Sequence, residues 1–170
     1  MSVAAIPDPA TLPYRRNVGA ALFNSQGQVL IARRADMGGA TDSWQLPQGG
    51  IDAGEDPRAA VLREVAEELG TTSAVIIGEH PDWLSYDLPA HLIGIALRGR
   101  YRGQTQRWFA LRFTGTDADI DLGQPPDAEF DAWRWAELAS LPDIAVSFRR
   151  PIYTILAHSF ARFATPTPSL

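Results

Sequence analysis

The sequence predicts one α/β (α+β) domain, a sandwich in which helices lie on the faces of a mixed sheet. Three observations predict it. Strand-like runs precede, separate and follow two helical stretches. The first helical stretch carries stop and start signals at both ends. No repeat or linker divides the 170 residues, a length that suits a single sizeable core. The domain is expected over residues 14–163, with a flexible arm over 1–13 and a flexible tail over 164–170.

In chain order, Pro7, Pro9 and Pro13 break the arm against any regular element. Asn17 to Asn24 and Val29 to Arg34 read as strands of a hairpin, with Gly27 in the turn. The stretch ADMGGATDS is a loop, after which Trp44 and Leu46 alternate with Gln45 and Pro47 as on a short half-buried strand. A helix follows over Pro57 to Leu69. Ser73 to Ile77 is a strand, and Trp83 to Leu88 another, bracketed by Pro81 and Pro89. If the segment before the next strand is extended, Arg98, Arg100 and Arg102 share one side. Gln106 to Thr114 alternates as a strand, Asp117 to Asp127 is an acidic loop, and Phe130 to Trp135 is an aromatic strand running into a short helix. Ser147 begins the last helix, in which Ile152, Ile155, Leu156 and Phe163 form the stripe that lies on the sheet.

The organising stretch is GGIDAGEDPRAAVLREVAEELGT, Gly49 to Thr71. Asp56 is an N-cap, Pro57 loses nothing by lacking an N–H in the first turn, and Gly70 ends the helix. At roughly 100° per residue, Glu64, Glu67 and Glu68 share one face, with Leu62, Val65, Ala66 and Leu69 opposite. Like charges at these spacings repel by a few tenths of a kcal/mol per pair, and Arg63 relieves only part of this. A hard divalent cation would remove the penalty, since it takes oxygen ligands and keeps waters for a phosphate to displace. Gly49, Gly50 and Gly54 let the backbone approach a ligand and turn sharply.

Composition narrows the class. The content, 45% hydrophobic and 21% charged, is that of a soluble globular protein, and no apolar run approaches the ~20 residues of a membrane helix. The proline-broken N-terminus lacks the apolar segment of a signal peptide, so a cytoplasmic protein with no membrane association is expected. Without cysteine there is no disulfide, thiolate metal site or thiol nucleophile. A net charge of −5 argues against binding long duplex nucleic acid through its backbone, although gripping the 5′ end of an RNA is compatible with it. All 15 basic residues are arginine, which gives planar, bidentate contacts to phosphate.

The stretch resembles the signature of the Nudix hydrolases, G-x5-E-x7-R-E-U-x-E-E-x-G-U with U aliphatic. Gly49, Glu55, Arg63, Glu64, Val65, Glu67, Glu68 and Gly70 occupy its positions, and only the last aliphatic place departs, filled by Thr71. The likeness extends over roughly Tyr14 to Phe163 through YRRNVG, WQLPQGG, WLSYDLP, GQTQRWF, EFDAWRW and SFRR. It is similar to the branch that holds bacterial RNA pyrophosphohydrolases and asymmetrically cleaving diadenosine tetraphosphate hydrolases.

That resemblance implies the Nudix fold and hydrolysis of a phosphoanhydride by water, with two or three Mg²⁺ ions, or Mn²⁺ in their place. It implies metal ligation by Glu64, Glu67, Glu68, the Gly49 carbonyl and Glu129, and a catalytic base at Glu64 or Glu67. Arg63 and Glu55 are expected to brace the loop against the helix. Arg34, Tyr86 and Arg107 match positions that contact the phosphate chain, and Arg15, Ser43, Phe148 and Arg149 match the nucleobase pocket. The substrate class is a dinucleoside polyphosphate or an RNA 5′ end, and a monomer is expected. Arg107 and Arg149 stand where lysine is common, and the loops Asp36 to Ser43 and His91 to Arg102 look long, which leans the reading toward dinucleoside polyphosphates. Two other classes compete. One is a nucleotide-pool pyrophosphatase, which needs the box without its flanking motifs; the other is a non-catalytic nucleotide-binding or RNA-binding module, which does not need every box carboxylate.

Overall fold

A central strand buried on both faces organises the sheet. In the computed structural model, which describes residues 5–37, 44–124 and 126–167, β1 (Tyr14–Phe23) sends Val18, Ala20 and Leu22 to one side and Ala21 and Phe23 to the other, all buried. A strand covered on both faces reads as a continuous apolar run, as NVGAALF does. β1 runs parallel to β7 (Gly103–Phe113) from Tyr14 opposite Gly103 to Phe23 opposite Arg112, while the other pairings are antiparallel. The sheet is therefore mixed. Its main order is β3 (Trp44–Gln45), β2 (Val29–Arg34), β1, β7, β5 (Ala74–Glu79). β4 (Gln48–Gly50) also pairs with β1, β6 (Leu84–Asp87) with β7, and β8 (Phe130–Ala136) with β2.

One face is covered by α1 (Pro57–Leu69), whose Ala60, Val61, Val65 and Leu69 pack on Val18, Leu22, Phe109 and Leu111. The other is covered by α2 (Leu141–Ile144) and α3 (Arg150–Ser159), with Leu141, Ile152, Tyr153, Leu156 and Phe160 against Phe23, Ile31 and Trp108. Gly19 is required on that face because the Trp108 ring fills the space where a side chain would sit. Tyr153, fully buried, accepts the Leu46 N–H through its hydroxyl at 2.9 Å and so ties α3 to the segment leading into the box.

The start and end of α1 are as the capping residues predict. Asp56 accepts the Ala59 N–H at 3.4 Å, Pro57 is the first helical residue, and Gly70 is left-handed at φ 66°. Thr71, at the place where the signature has an aliphatic residue, is buried and its hydroxyl accepts the Ser73 N–H at 3.0 Å. Among the described residues no helix is long and apolar enough to cross a membrane. Leu12 packs against the core, and the Thr167 N–H donates to the Ser25 carbonyl at 2.8 Å, so the inner ends of the arm and tail rest on the domain.

Five details differ from the sequence expectation. Leu62 is exposed and Ala66 only half-buried, whereas Ala60 and Val61 are buried, so the inward arc of α1 is rotated toward Glu64 and Glu68. β1 and β7 each begin three residues earlier than the apolar pattern suggests, because parallel pairing carries their polar ends along. Residues 96–99 form a 3-10 turn with Leu97 and Arg98 left-handed, so Arg98, Arg100 and Arg102 do not share a strand side. The last helix starts at Arg150, and its buried stripe is Ile152, Tyr153, Leu156 and Phe160, with Ile155 exposed. The aromatic strand continues to Ala136, and the short helix forms only over Leu141–Ile144 after a 3-10 turn at Leu138–Ser140.

Candidate active site

The carboxylates of α1 are not on a solvated face. Glu64 and Glu68 lie in the same inward arc as Ala60, Val61 and Val65, while Glu67 points out. The Glu64 side chain is 12% exposed and that of Glu67 58%. The Glu64 carboxyl fills the space beside Gly49 where any other residue would place its Cβ. Close approach of β4 to the helix is thus the reason for that glycine.

Arg63 holds this arrangement. Its guanidinium donates to both oxygens of Glu55 at 2.8 Å, to the Gly50 carbonyl at 2.9 Å, to Glu64 at 2.9 Å and to Glu67 at 3.2 Å. Glu55 in turn accepts the Asp52 N–H at 3.1 Å. Glu55 is held down to a pKa of about 2, first by its hydrogen bond from Arg63 and then by that backbone N–H. Loop and helix are fastened through one guanidinium.

Glu68 sits deepest. Burial, then the neighbouring Glu64 and Glu129 carboxylates, push its pKa up to about 9, and burial likewise raises that of Glu64. The two carboxyls share a hydrogen bond, with Glu68 donating, and Glu68 Oε2 is buried with no N–H or hydroxyl of the described residues donating to it. A buried acceptor without a donor costs roughly 1–3 kcal/mol. A cation would supply what both features lack, a partner for the free oxygen and positive charge for crowded carboxylates. The donor set, all oxygen, suits a hard divalent ion.

Glu129 reaches the cluster from the far end of the sheet. A bulge between Arg33 and Arg34 shifts the pairing of β2 with β8, and the Ala35 N–H bonds the Glu129 carbonyl at 3.0 Å. The local kink re-aims the side chains on either side of it. Arg34 thereby comes within 3.6 Å of the Glu129 carboxylate while also donating to Asp36 at 2.7 and 3.1 Å. A cavity of about 270 Å³ is lined by Glu64, Glu67, Glu68, Asp127 and Glu129. Four of the five positions expected to hold metal thus line one cavity, with Gly49 abutting Glu64 behind it, although among the described residues no three acidic groups are already drawn together as a metal site.

A larger cavity, about 670 Å³, adjoins Arg34 and contains Tyr86, Phe148 and Arg149. Tyr86 and Phe148 rings lie 5.4 Å apart, and the Arg149 guanidinium is 5.6 Å from Phe148 and 5.8 Å from Tyr86. Arg149 donates to Gln45 at 2.9 Å, but its Nε is buried without an acceptor. Aromatic faces with an arginine beside them make a base-stacking platform. Arg15 lies over Gly50 and donates to Gln104 at 3.3 Å, on the other side of the box loop. Ser43 lies outside the described residues. Arg107 is not brought to this cavity: it donates to the Pro81 carbonyl at 2.8 Å and to Glu79 at 3.3 Å.

Several polar residues outside the expected set position the site. Gln104 donates to the buried Tyr86 hydroxyl at 2.6 Å, and Gln106 donates to Asn17 at 3.0 Å and to Gln48 at 2.7 Å. Buried side-chain amides must be paired, and these are. The signal was available in GQTQRWF, where Gln104 and Gln106 fall on the same side of a strand as the apolar Trp108, and in WQLPQGG, where Gln45 and Gln48 flank Leu46 and Pro47. Asp36, which takes Arg34, carried no signal beyond its charge.

Fold and acidic site together define a known class: the chain belongs to the NUDIX domain family, which it matches over residues 13–155. Among curated relatives it is 63% identical over 164 residues to the RNA pyrophosphohydrolase of Gluconacetobacter diazotrophicus, covering 94% of this chain and 98% of that one. It is 60% identical over 154 residues to the RNA pyrophosphohydrolase of Acidiphilium cryptum, covering 90% and 93%. Among solved structures it shares a fold with the C. elegans Ap4A hydrolase binary complex, at TM-score 0.60 and 19% identity, covering 87% of this chain and 98% of that one. The E. coli dihydroneopterin triphosphate pyrophosphohydrolase is similar at TM-score 0.59 and 19% identity, covering 86% and 99%. The sequence likeness thus falls in the RNA pyrophosphohydrolase branch of the family.

Proposed function

We propose that this Nudix hydrolase acts on phosphoanhydrides at the triphosphorylated 5′ end of RNA and requires Mg²⁺, two or three ions, with Mn²⁺ as a substitute. The observation that carries the reading is the buried, unpartnered Glu68 oxygen within a carboxylate cluster that opens beside an aromatic and arginine pocket. The names of relatives at 60% identity and above favour RNA over the dinucleoside polyphosphates toward which the arginines and loop lengths lean.

On this reading Glu64, Glu67, Glu68, Glu129 and the Gly49 carbonyl hold the ions. When bound, divalent cations neutralise the polyphosphate, stabilise charge on the leaving phosphate and make water acidic enough to supply hydroxide near neutral pH. The chain's own residues do the rest. Arg63 fixes Glu64 and Glu67 in relation to the loop. Glu64 is engaged by both Arg63 and Glu68, which leaves the exposed Glu67 with the freer oxygen to take a proton from the attacking water. Arg34 stands between the carboxylates and the base pocket, where a phosphate would displace Asp36 from it. Tyr86, Phe148 and Arg149 form the platform on which a base stacks. The reading includes a monomer acting in the cytoplasm.

The test is a side-by-side rate comparison on 5′-triphosphorylated RNA and diadenosine tetraphosphate, with and without Mg²⁺. Pyrophosphate or successive phosphates are expected from the RNA, and AMP with ATP from any dinucleotide cleavage. Glu67→Gln should lower turnover by at least about two orders of magnitude with little change in folding. No turnover of either substrate, or an unaffected Glu67→Gln enzyme, would remove the assignment.

A further inference from the structure

Four arginines on one side of the molecule have no carboxylate partner among the described residues: Arg15, Arg16, Arg98 and Arg100. Arg102 nearby is already engaged, donating to Asp87 at 2.9 Å with its guanidinium 4.8 Å from the Tyr14 ring. In a chain of net charge −5, unpaired positive charge gathered on one surface is a feature to be explained.

Arg15, Leu97, Arg98, Arg100 and Tyr101 line a depression of about 460 Å³. It adjoins two cavities of the active-site region, with which it shares wall residues. Arg15 and Tyr101 also line a cavity of about 440 Å³ that reaches Gly50 and Glu64. Leu97 also lines the cavity that holds Tyr86, Phe148 and Arg149.

The backbone here is unusual. Leu97 (φ 53°, ψ 40°) and Arg98 (φ 61°, ψ 18°) are the non-glycine residues in the left-handed region among those described, and they are consecutive. Gly99 follows at φ 71° and lies against the Gly94 carbonyl, so the segment closes on itself. Strain of this kind persists where surrounding structure holds it and clusters at ligand clamps. Its effect is to put exposed Arg98 and Arg100 at the mouth of the depression, with half-buried Tyr101 as its wall.

We propose that this depression is a second subsite, which grips the phosphodiesters of single-stranded RNA downstream of the base stacked at Tyr86, Phe148 and Arg149. It rests on the reading of the active site as one that takes RNA by its 5′ end. The chemistry is that of single-strand binding: arginines track the backbone and an aromatic ring accepts any base on its face. A dinucleotide ends within the base pocket, whereas a longer chain crosses Leu97 to meet Arg98 and Arg100.

The test is equilibrium binding, by fluorescence anisotropy, of 5′-monophosphorylated single-stranded RNAs of two to six nucleotides, labelled at the 3′ end. These carry no anhydride to hydrolyse. Wild-type affinity should rise with length beyond two nucleotides, by about tenfold at six, and Arg98→Ala/Arg100→Ala should abolish that rise. The salt dependence should flatten by about 0.7 in logarithmic slope for each phosphate that the variant no longer neutralises. Arg98→Lys/Arg100→Lys should restore most of the rise, which separates loss of charge from damage to the turn. A wild-type protein whose affinity does not grow with length, or a double alanine variant that keeps the growth, overturns the proposal. If instead wild type releases no pyrophosphate from triphosphorylated RNA yet loses its length dependence in the double variant, the subsite stands and the activity assignment falls.

Discussion

Replacing Glu68 by glutamine should make the metal-free protein more stable and at the same time disable it. In wild type the buried carboxyl keeps its proton up to about pH 9, while the same group in the unfolded chain loses it near 4.5. Below pH 4.5 both states are protonated and the group has no effect. As pH rises through that value the unfolded chain releases a proton that the folded one retains, and stability falls by about 1.4 kcal/mol per unit. At pH 7 the accumulated cost is at most about 3 kcal/mol, and less to the extent that Glu64 shares the proton. Burial of Val61, Val65 and Leu69 in the same helix, roughly 1.5–3 kcal/mol each, is what outweighs it.

Glutamine has no proton to lose, and its amide can still donate to Glu64. Glu68→Gln should therefore exceed wild type in stability at pH 7 in EDTA by up to about 3 kcal/mol, or up to roughly 10 °C in Tm for a chain of this size. The difference should shrink toward zero as pH falls to 4.5. Adding Mg²⁺ should stabilise wild type by mass action and the variant far less, so the order reverses while turnover is lost. Thermal and guanidinium unfolding followed by circular dichroism at pH 5, 6 and 7, with EDTA and with Mg²⁺, measures each effect. A Glu68→Gln protein that is less stable than wild type in EDTA at pH 7, with a gap that does not move with pH, would refute the reasoning.

Two further outcomes follow from the same geometry. Glu55→Gln should flatten the acid limb of stability: the stabilisation from the Arg63–Glu55 pair is fully present above pH 4.5 and disappears as pH falls through about 2, so wild type should lose stability in that window and the variant should lose less, measured by acid titration of the circular dichroism signal. Gly49→Ala should fold, yet lower turnover by about a hundredfold, because the added methyl takes the place of the Glu64 carboxyl and displaces it by the order of an ångström; normal rates in a steady-state assay would show that Glu64 does not need its present position.

The parts legible in the sequence are those fixed by local chemistry. Asp56, Pro57 and Gly70 bound α1 to the residue because capping is decided within a turn, and Arg63 braces Glu55 because the two are eight residues apart across one loop. What the sequence hid depends on distant contacts. Arg34 meets Glu129 only through a bulge in the pairing of β2 with β8, and Arg107 turns to Glu79 and Pro81 because β7 sends alternate residues to opposite faces. β4 has three residues and no apolar pattern at all.

The more instructive miss is on α1 itself. A helical wheel assigns charged residues to water and Leu62 to the core, and here Leu62 is 41% exposed while the Glu64 side chain is 12% exposed. The wheel is wrong by the width of the acidic site, since the chain gives up burial of a leucine to turn two carboxylates inward. Local preference and global packing agree almost everywhere in this chain, so a place where they conflict marks where a ligand must supply the missing interaction. The same conflict returns at Leu97 and Arg98, where two residues accept a left-handed backbone that glycine would take more easily, and both line the depression beside the active site.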